Sequence, residues 1–350
     1  MRRPNRAVLI LANLILLWTY APAQQNRAGI AVVARPEQQR VDILIDGSLF
    51  TSYRWDADLK KPILYPINSA NGTVITRGFP LEPRAGESVD HPHQSGLWFD
   101  YGDINGIDFW NNSIYRTAEE TKHMGSVVHR RIVATKSGRA SGELRIAADW
   151  IMPDGKTILR EATRYIFHAD NRSRSIDRVT KLTALDQKVV FNDSKEGLFG
   201  LRVRRELEQP AKEPIALTNA NGKPMTEKVV DNRNVTGEFR SSEGKTGDDV
   251  WGTHARWSAL TGHVGREDIT LAIFDHPKNL GFPAYCMARG YGLFAVNPLG
   301  RKAYENKEAL NYTLEPGHSL TLRYGVLIAS RRESPGDIEG RYRDFVRRIK

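Results

Sequence analysis

The stretch SLTLRYGVLIA, residues 319–329, decides the fold class. Leu320, Leu322, Tyr324, Val326 and Ile328 fall on one side of an extended chain, and Thr321, Arg323 and Gly325 on the other. That two-residue period is the signature of a half-buried β-strand. Similar runs occur at Val41–Ile45, Val127–Ala134, Leu144–Trp150, Ile158–Phe167, Ser175–Thr183, Ile269–Phe274 and Leu293–Val296, punctuated by Gly, Asn, Asp and Pro. Their spacing predicts an all-β chain, a large antiparallel β-sandwich of two packed sheets. No alternation of strands with helical patterns points to a parallel sheet. One helix is predicted over 335–349, with Pro335 near its start and Ile338, Tyr342, Phe345 and Ile349 on one side. The polar stretch Asn219–Asp249 reads as a loop or hairpin inside a single domain spanning residues 24–350.

The first residues read as an address. Arg2, Arg3 and Arg6 precede the run Ala7–Trp18, apolar except for Asn13, and Ala21-Pro22-Ala23 offers small residues for cleavage before Gln24. This is the order of a secretory signal peptide over residues 1–23, and it predicts a periplasmic or secreted protein. The apolar run is shorter than the roughly 20 residues of a spanning helix, so no membrane span is expected in the mature form. Mean hydropathy is −0.48. Removing Arg2, Arg3 and Arg6 takes the formal net charge from +10 to +7, and the remaining Lys and Arg are interspersed with Asp and Glu. Without a basic block, no nucleic-acid partner is expected. The one cysteine, Cys286, excludes internal disulfides and CxxC motifs, and the roughly 325 remaining residues suffice for a stable core.

Three segments carry candidate chemistry. The first runs from Asp90-His91-Pro92-His93 through Trp98 and Asp103 to Trp110, with two imidazoles, several carboxylates and large rings. Such a mixture suits a carbohydrate cleft, and equally a core hairpin whose rings pack and whose Asp residues cap turns. In an extended segment His91 and His93 share a face, as in HxH metal sites. Asp275-His276-Pro277 repeats the Asp-His-Pro motif at a strand end and offers a third imidazole. Without HExxH or cysteine ligands, acid–base histidines fit better than metal ligands. No cofactor is required; a divalent metal would need His91, His93 and His276 together. The third segment, Asn192–Arg202, contains Lys195, Glu196 and Arg202. If the strand has begun, Lys195 and Glu196 point to opposite faces and only one meets a pocket. Glu196 is then a candidate base and Arg202 a clamp for a carboxylate or oxyanion, against a surface ion pair of little consequence. Gly244-Lys245-Thr246 resembles the end of a phosphate loop, but Phe239 occupies the place of its first glycine.

Taken together, these motifs resemble the bacterial PmoA-like family, whose label is methane oxygenase. The matching residues are Arg77-Gly78-Phe79-Pro80, Asp90 to Trp110, Lys195-Glu196-Gly197, Trp251-Gly252 with Ala255 and Trp257, Asp275-His276-Pro277 with Asn279, Arg289 with Tyr291-Gly292-Leu293, and Asn297-Pro298-Leu299-Gly300. Gln94 stands where the family often has a further histidine. The oxygenase label does not fit a mature chain with no membrane span. The resemblance implies a galactose-mutarotase-like supersandwich with a sugar or oligosaccharide as partner. On that expectation the protein is an exported carbohydrate-active enzyme, an epimerase, lyase or hydrolase. His91 or His93 is its acid, Glu196 its base, Trp98, Trp110 or Trp251 a stacking floor, and Arg289 and His276 orient hydroxyls. Asp103, Lys195, Arg202 and Asn297 complete the expected substrate contacts. The alternative is a glycan-binding or envelope module without catalysis, which would display a flat aromatic strip in place of a closed pocket.

Overall fold

The computed structural model describes residues 29–350. The signal peptide expected over residues 1–23, with its cleavage point near Ala23 and Gln24, lies outside the described residues. Two antiparallel sheets of eight strands face each other. In spatial order the first contains Ile30–Arg35, Arg40–Ile45, Ser48–Arg54, Ile63–Ile67, Leu97–Tyr101, Gly197–Arg202, Leu293–Asn297 and Tyr285–Arg289. The second contains Glu238–Ser241, Trp257–Val264, Glu267–Asp275, Ser319–Ala329, Ser173–Ala184, Thr157–Ala169, Ser141–Ile151 and Ser126–Lys136. Rings from the two sheets meet in the layer between them: Phe99 on Trp150, Phe199 on Tyr324 and Phe50 on Phe167. The sandwich and its antiparallel pairing are as the sequence period predicts.

The strand Ser319–Ala329 departs from simple alternation. Its first half alternates, but Gly325 to Ala329 are buried on both faces because the helix Pro335–Arg348 covers the outer one. Ile338, Tyr342 and Phe345 press onto Trp257, Phe274 and Leu327. A Cβ on Gly325 would lie 2.9 Å from Phe345 and 3.1 Å from Phe274, so only glycine admits the helix. Ser334 and Asp337 close a capping box at its start, Pro335 occupies the first turn, and Arg348 reaches Asp177 near its end. Two one-turn helices not expected from sequence, Ala118–Thr121 and Arg301–Glu305, lie in loops. Within the polar excursion, Ile215–Thr218 pairs with Pro224–Val229 as a hairpin, and Glu238–Ser241 joins the second sheet as its edge strand. No helix among the described residues is long and apolar enough to cross a membrane.

The first sheet has a second apolar cluster on its outer face, built from Ile63, Tyr65, Trp98, Met287, Leu293 and Ala295. Loops carrying Trp110, Trp251, Tyr291 and Tyr304 fold over it. Polar residues of the first sheet that share this face are therefore roofed, and the candidate site lies there.

Candidate functional site

Two fully buried arginines organise the roof. Arg77 Nη1 donates to the Asp90 carbonyl at 2.8 Å and to Asp90 Oδ1 at 3.0 Å. Its Nη2 donates to the carbonyls of His91 and Gln94 at 2.9 and 3.0 Å. Arg202 Nη2 donates to Asp90 Oδ1 at 2.6 Å, and Nη1 to Gln94 Oε1 at 2.7 Å. Burial of Arg77 beside Arg202 lowers its guanidinium to about 9. Burial alone would raise the Asp90 carboxyl, yet Arg202, the His91 hydrogen bond and Arg77 together hold it well below the usual carboxylate range. This hub bends Asp90–Gln94 into a turn with His91 in the left-handed region at φ 44° and Gln94 N–H donating to the His91 carbonyl. The expected extended HxH is therefore not formed. The rings of His91 and His93 stand edge to face, 5.6 Å apart.

His91 turns toward a cavity of about 230 Å³ that Lys195, Glu196, Trp251, Arg289 and Tyr291 also line. Its Nδ1 is hydrogen-bonded to Asp90 Oδ2, and its ring stacks on Tyr291 with centroids 5.0 Å apart and planes 7° from parallel. With Nδ1 engaged by a carboxylate, the exchangeable position of the imidazole is Nε2. Lys195 and Glu196 do not take opposite faces as expected, because they sit in a bend before the strand Gly197–Arg202. The bend is pinned by Tyr304 Oη donating to the Lys195 carbonyl at 2.7 Å and by Asn297 Nδ2 donating to the Ser194 carbonyl at 2.8 Å. Both side chains reach the cavity, 3.7 Å from each other. Burial raises the Glu196 carboxyl, reinforced by Asp108 and opposed by Lys195, His91 and Arg289.

His93 lies on the other side of the turn, in a neighbouring cavity of about 350 Å³ with Lys61, Asn112 and Ser113. Beneath it Lys61 Nζ sits 2.6 Å from Asp100 Oδ2, an ion contact without the alignment of a hydrogen bond, and donates to the Trp110 carbonyl at 2.8 Å. Burial raises the Asp100 carboxyl to about 7, with Lys61 opposing. Burial, then the Lys61 and His91 charges, push His93 down to about 2, so its ring is neutral.

The remaining expected residues divide. Trp98 and Trp110 are fully buried, edge to face at 5.3 Å, and offer no open stacking floor. The guanidinium carbon of Arg289 lies 3.3 Å from the Trp251 ring centroid, so that ring is covered. Arg202 does clamp a carboxylate, but it is the protein's own Asp90. Asn297 positions the Ser194–Glu196 bend, and Asp103 Oδ1 accepts from Gly106 N–H and Asn192 Nδ2 in a turn. His276 is not brought to either cavity. It follows a strand of the second sheet, its ring meets Phe345 of the terminal helix edge to face with centroids 5.7 Å apart, and its Nδ1 accepts from Lys278 N–H. Among the described residues no three His, Cys, Asp or Glu side chains are grouped to hold a metal ion. Lys61 escaped the sequence reading, which assigned no role to Asp90, Asp100 or Tyr291. Tyr291 and the Arg77 hub were within reach, since both lie in the motifs that carry the family resemblance.

Residues 40–343 match the model of a family of unknown function, DUF6807. The chain belongs to this family. No curated protein matches it. Among solved structures it is similar to the GH36 α-galactosidase AgaB from Geobacillus stearothermophilus, at 12% identity and a TM-score of 0.41, covering 86% of this chain and 41% of that one. It is also similar to a GalM/aldose epimerase homologue from C. elegans, at 9% identity and a TM-score of 0.33, covering 87% and 100%. A galactose mutarotase related enzyme from Lactobacillus acidophilus gives 9% identity and a TM-score of 0.28, covering 87% and 99%. The DUF6807 chain spans about two fifths of the α-galactosidase. Likeness of this degree says nothing about chemistry, which rests on the geometry of the site.

Proposed function

We propose that this protein is an exported acid–base enzyme acting on one sugar ring in the cavity of about 230 Å³. The observation that carries the reading is that Glu196 and the Asp90-held His91 line the same small cavity. Proton transfer needs a base and an acid within reach of one ring, each set in a fixed direction. Glu196 is made more basic by burial and takes a proton. His91, whose Nδ1 is engaged by Asp90, receives or gives a proton at Nε2. Lys195 and Arg289 stabilise negative charge that develops on the ring oxygens.

A binding module of the kind expected as the alternative would offer open aromatic faces. Here Arg289 covers Trp251, and His91 and Arg202 lie over Tyr291, so the arrangement favours the enzyme. The test is to incubate the purified protein with a panel of mono- and oligosaccharides, neutral, acidic and keto, and follow anomer exchange, epimerisation and cleavage by proton NMR. Turnover of at least one member is expected, with Glu196→Gln and His91→Gln each slowing it about 10²-fold or more while the β spectrum is retained. Absence of turnover across the panel, or full activity in Glu196→Gln, overturns the proposal.

A further inference from the structure

Arg289 is placed oddly for a residue that lines this cavity. Its guanidinium lies over Trp251, with the central carbon 3.3 Å from the ring centroid. A guanidinium held over an aromatic face keeps its N–H donors available to a further partner. The other arginines of this region spend their donors on protein acceptors: Arg77 and Arg202 on Asp90, and Arg205 on Glu208. Arg289 makes no ion pair and no side-chain hydrogen bond among the described residues, although it lines the cavity with Glu196. The one carboxylate there, Glu196, is already 3.7 Å from Lys195. The cavity therefore holds a half-buried, uncommitted fork beside a proton-transfer pair. Five planar donors match a carboxylate in shape and charge better than they match single hydroxyls.

We propose that the ring accepted in this cavity is a uronic acid, whose carboxylate is held by Arg289 while Glu196 faces the adjacent carbon. The inference rests on the acid–base reading above and names its substrate class. A carboxylate neutralised by a guanidinium makes the hydrogen on the neighbouring ring carbon, C5, removable. Glu196 takes that proton and becomes a carboxylic acid, and the C5–H electron pair moves into the substrate carboxyl group as an enediolate against Arg289. His91, in its protonated form, then has two ways to complete the step. It gives its proton to the opposite face of C5 and inverts that carbon. Alternatively, the electron pair forms a C4–C5 double bond as the C4–O bond breaks, and His91 gives its proton to the departing oxygen. Neither route needs an oxidant, a reductant or water as co-reactant.

The experiment compares galacturonate, glucuronate and their oligomers with galactose, glucose and lactose. Binding is measured by calorimetry, and loss of the C5 proton signal in heavy water by NMR. Uronates are expected to bind about tenfold or more tightly than the neutral sugars, with C5 exchange or an unsaturated product absorbing in the ultraviolet. Arg289→Gln should remove that preference, and Arg289→Lys, which keeps the charge without the fork, should restore part of it. Both variants leave a half-buried position filled, and circular dichroism confirms their fold. Neutral sugars turned over as well as uronates, with Arg289→Gln affecting both alike, would overturn the uronate assignment and leave the acid–base reading standing. No turnover of either class would overturn both.

Discussion

Replacing Lys61 by methionine keeps much of the side chain's length and removes its charge. Lys61 and Asp100 are 4% and 0% exposed at the side chain and 2.6 Å apart, so the substitution leaves a carboxylate inside the protein with no cation beside it. Removing one partner of a buried pair costs about 3–5 kcal/mol. The carboxylate escapes part of that cost by keeping its proton, and the loss is therefore pH-dependent. Burial already raises Asp100 to about 7, above the roughly 3.9 of an unfolded aspartate. Between those values the folded state binds more protons than the unfolded state, so stability falls as pH rises from about 4 to about 7. Without Lys61 the folded value moves higher and the fall extends further. Lys61→Met is expected to lose about 3–5 kcal/mol at pH 8 and distinctly less at pH 5. Urea unfolding followed by tryptophan fluorescence measures this, since Trp98 and Trp110 lie within 5.5 and 5.8 Å of the ammonium. The double variant Lys61→Met/Asp100→Leu should recover most of the loss, because an apolar pair replaces an ionic one. An equal loss at both pH values, or no recovery in the double variant, would refute the charge pair as the cause.

Two further outcomes follow from the site. Asp90→Asn withdraws the charge that orients His91 and that Arg77 and Arg202 share, so turnover of the folded variant is expected to drop at least about tenfold and its stability to fall as two buried guanidiniums lose their carboxylate. The kcat of the folded variant checks this, and unchanged turnover would detach Asp90 from the chemistry. His276→Leu is expected to leave kcat and KM as they are, since the ring packs on Phe345 away from both cavities; a loss of turnover in a folded variant would return His276 to the site.

The sandwich was legible in the sequence because a strand's period is local. Runs such as Leu144–Trp150 and the first half of residues 319–329 state their own buried face, and apolar runs such as Ile269–Phe274 and Leu293–Val296 are strands buried on both faces. The terminal helix was legible for the same reason, from Pro335 and the spacing of Ile338, Tyr342 and Phe345. The site was legible in composition only. His91, Glu196 and Arg289 come together because the strands Leu97–Tyr101 and Gly197–Arg202 are neighbours and the hairpin Tyr285–Asn297 adds beside them, pairings between distant segments that no local pattern encodes. The same pairing separates His276, which shares the Asp-His-Pro motif but lies on the other sheet. The turn that parts His91 from His93 is imposed by Arg77 and Arg202 donating to Asp90. Residue types determined which chemistry was available to this protein. Only the order of strands in the first sheet, and the two buried guanidiniums on its outer face, decided which of those groups meet, because contacts between distant segments follow from packing and not from the period of any one of them.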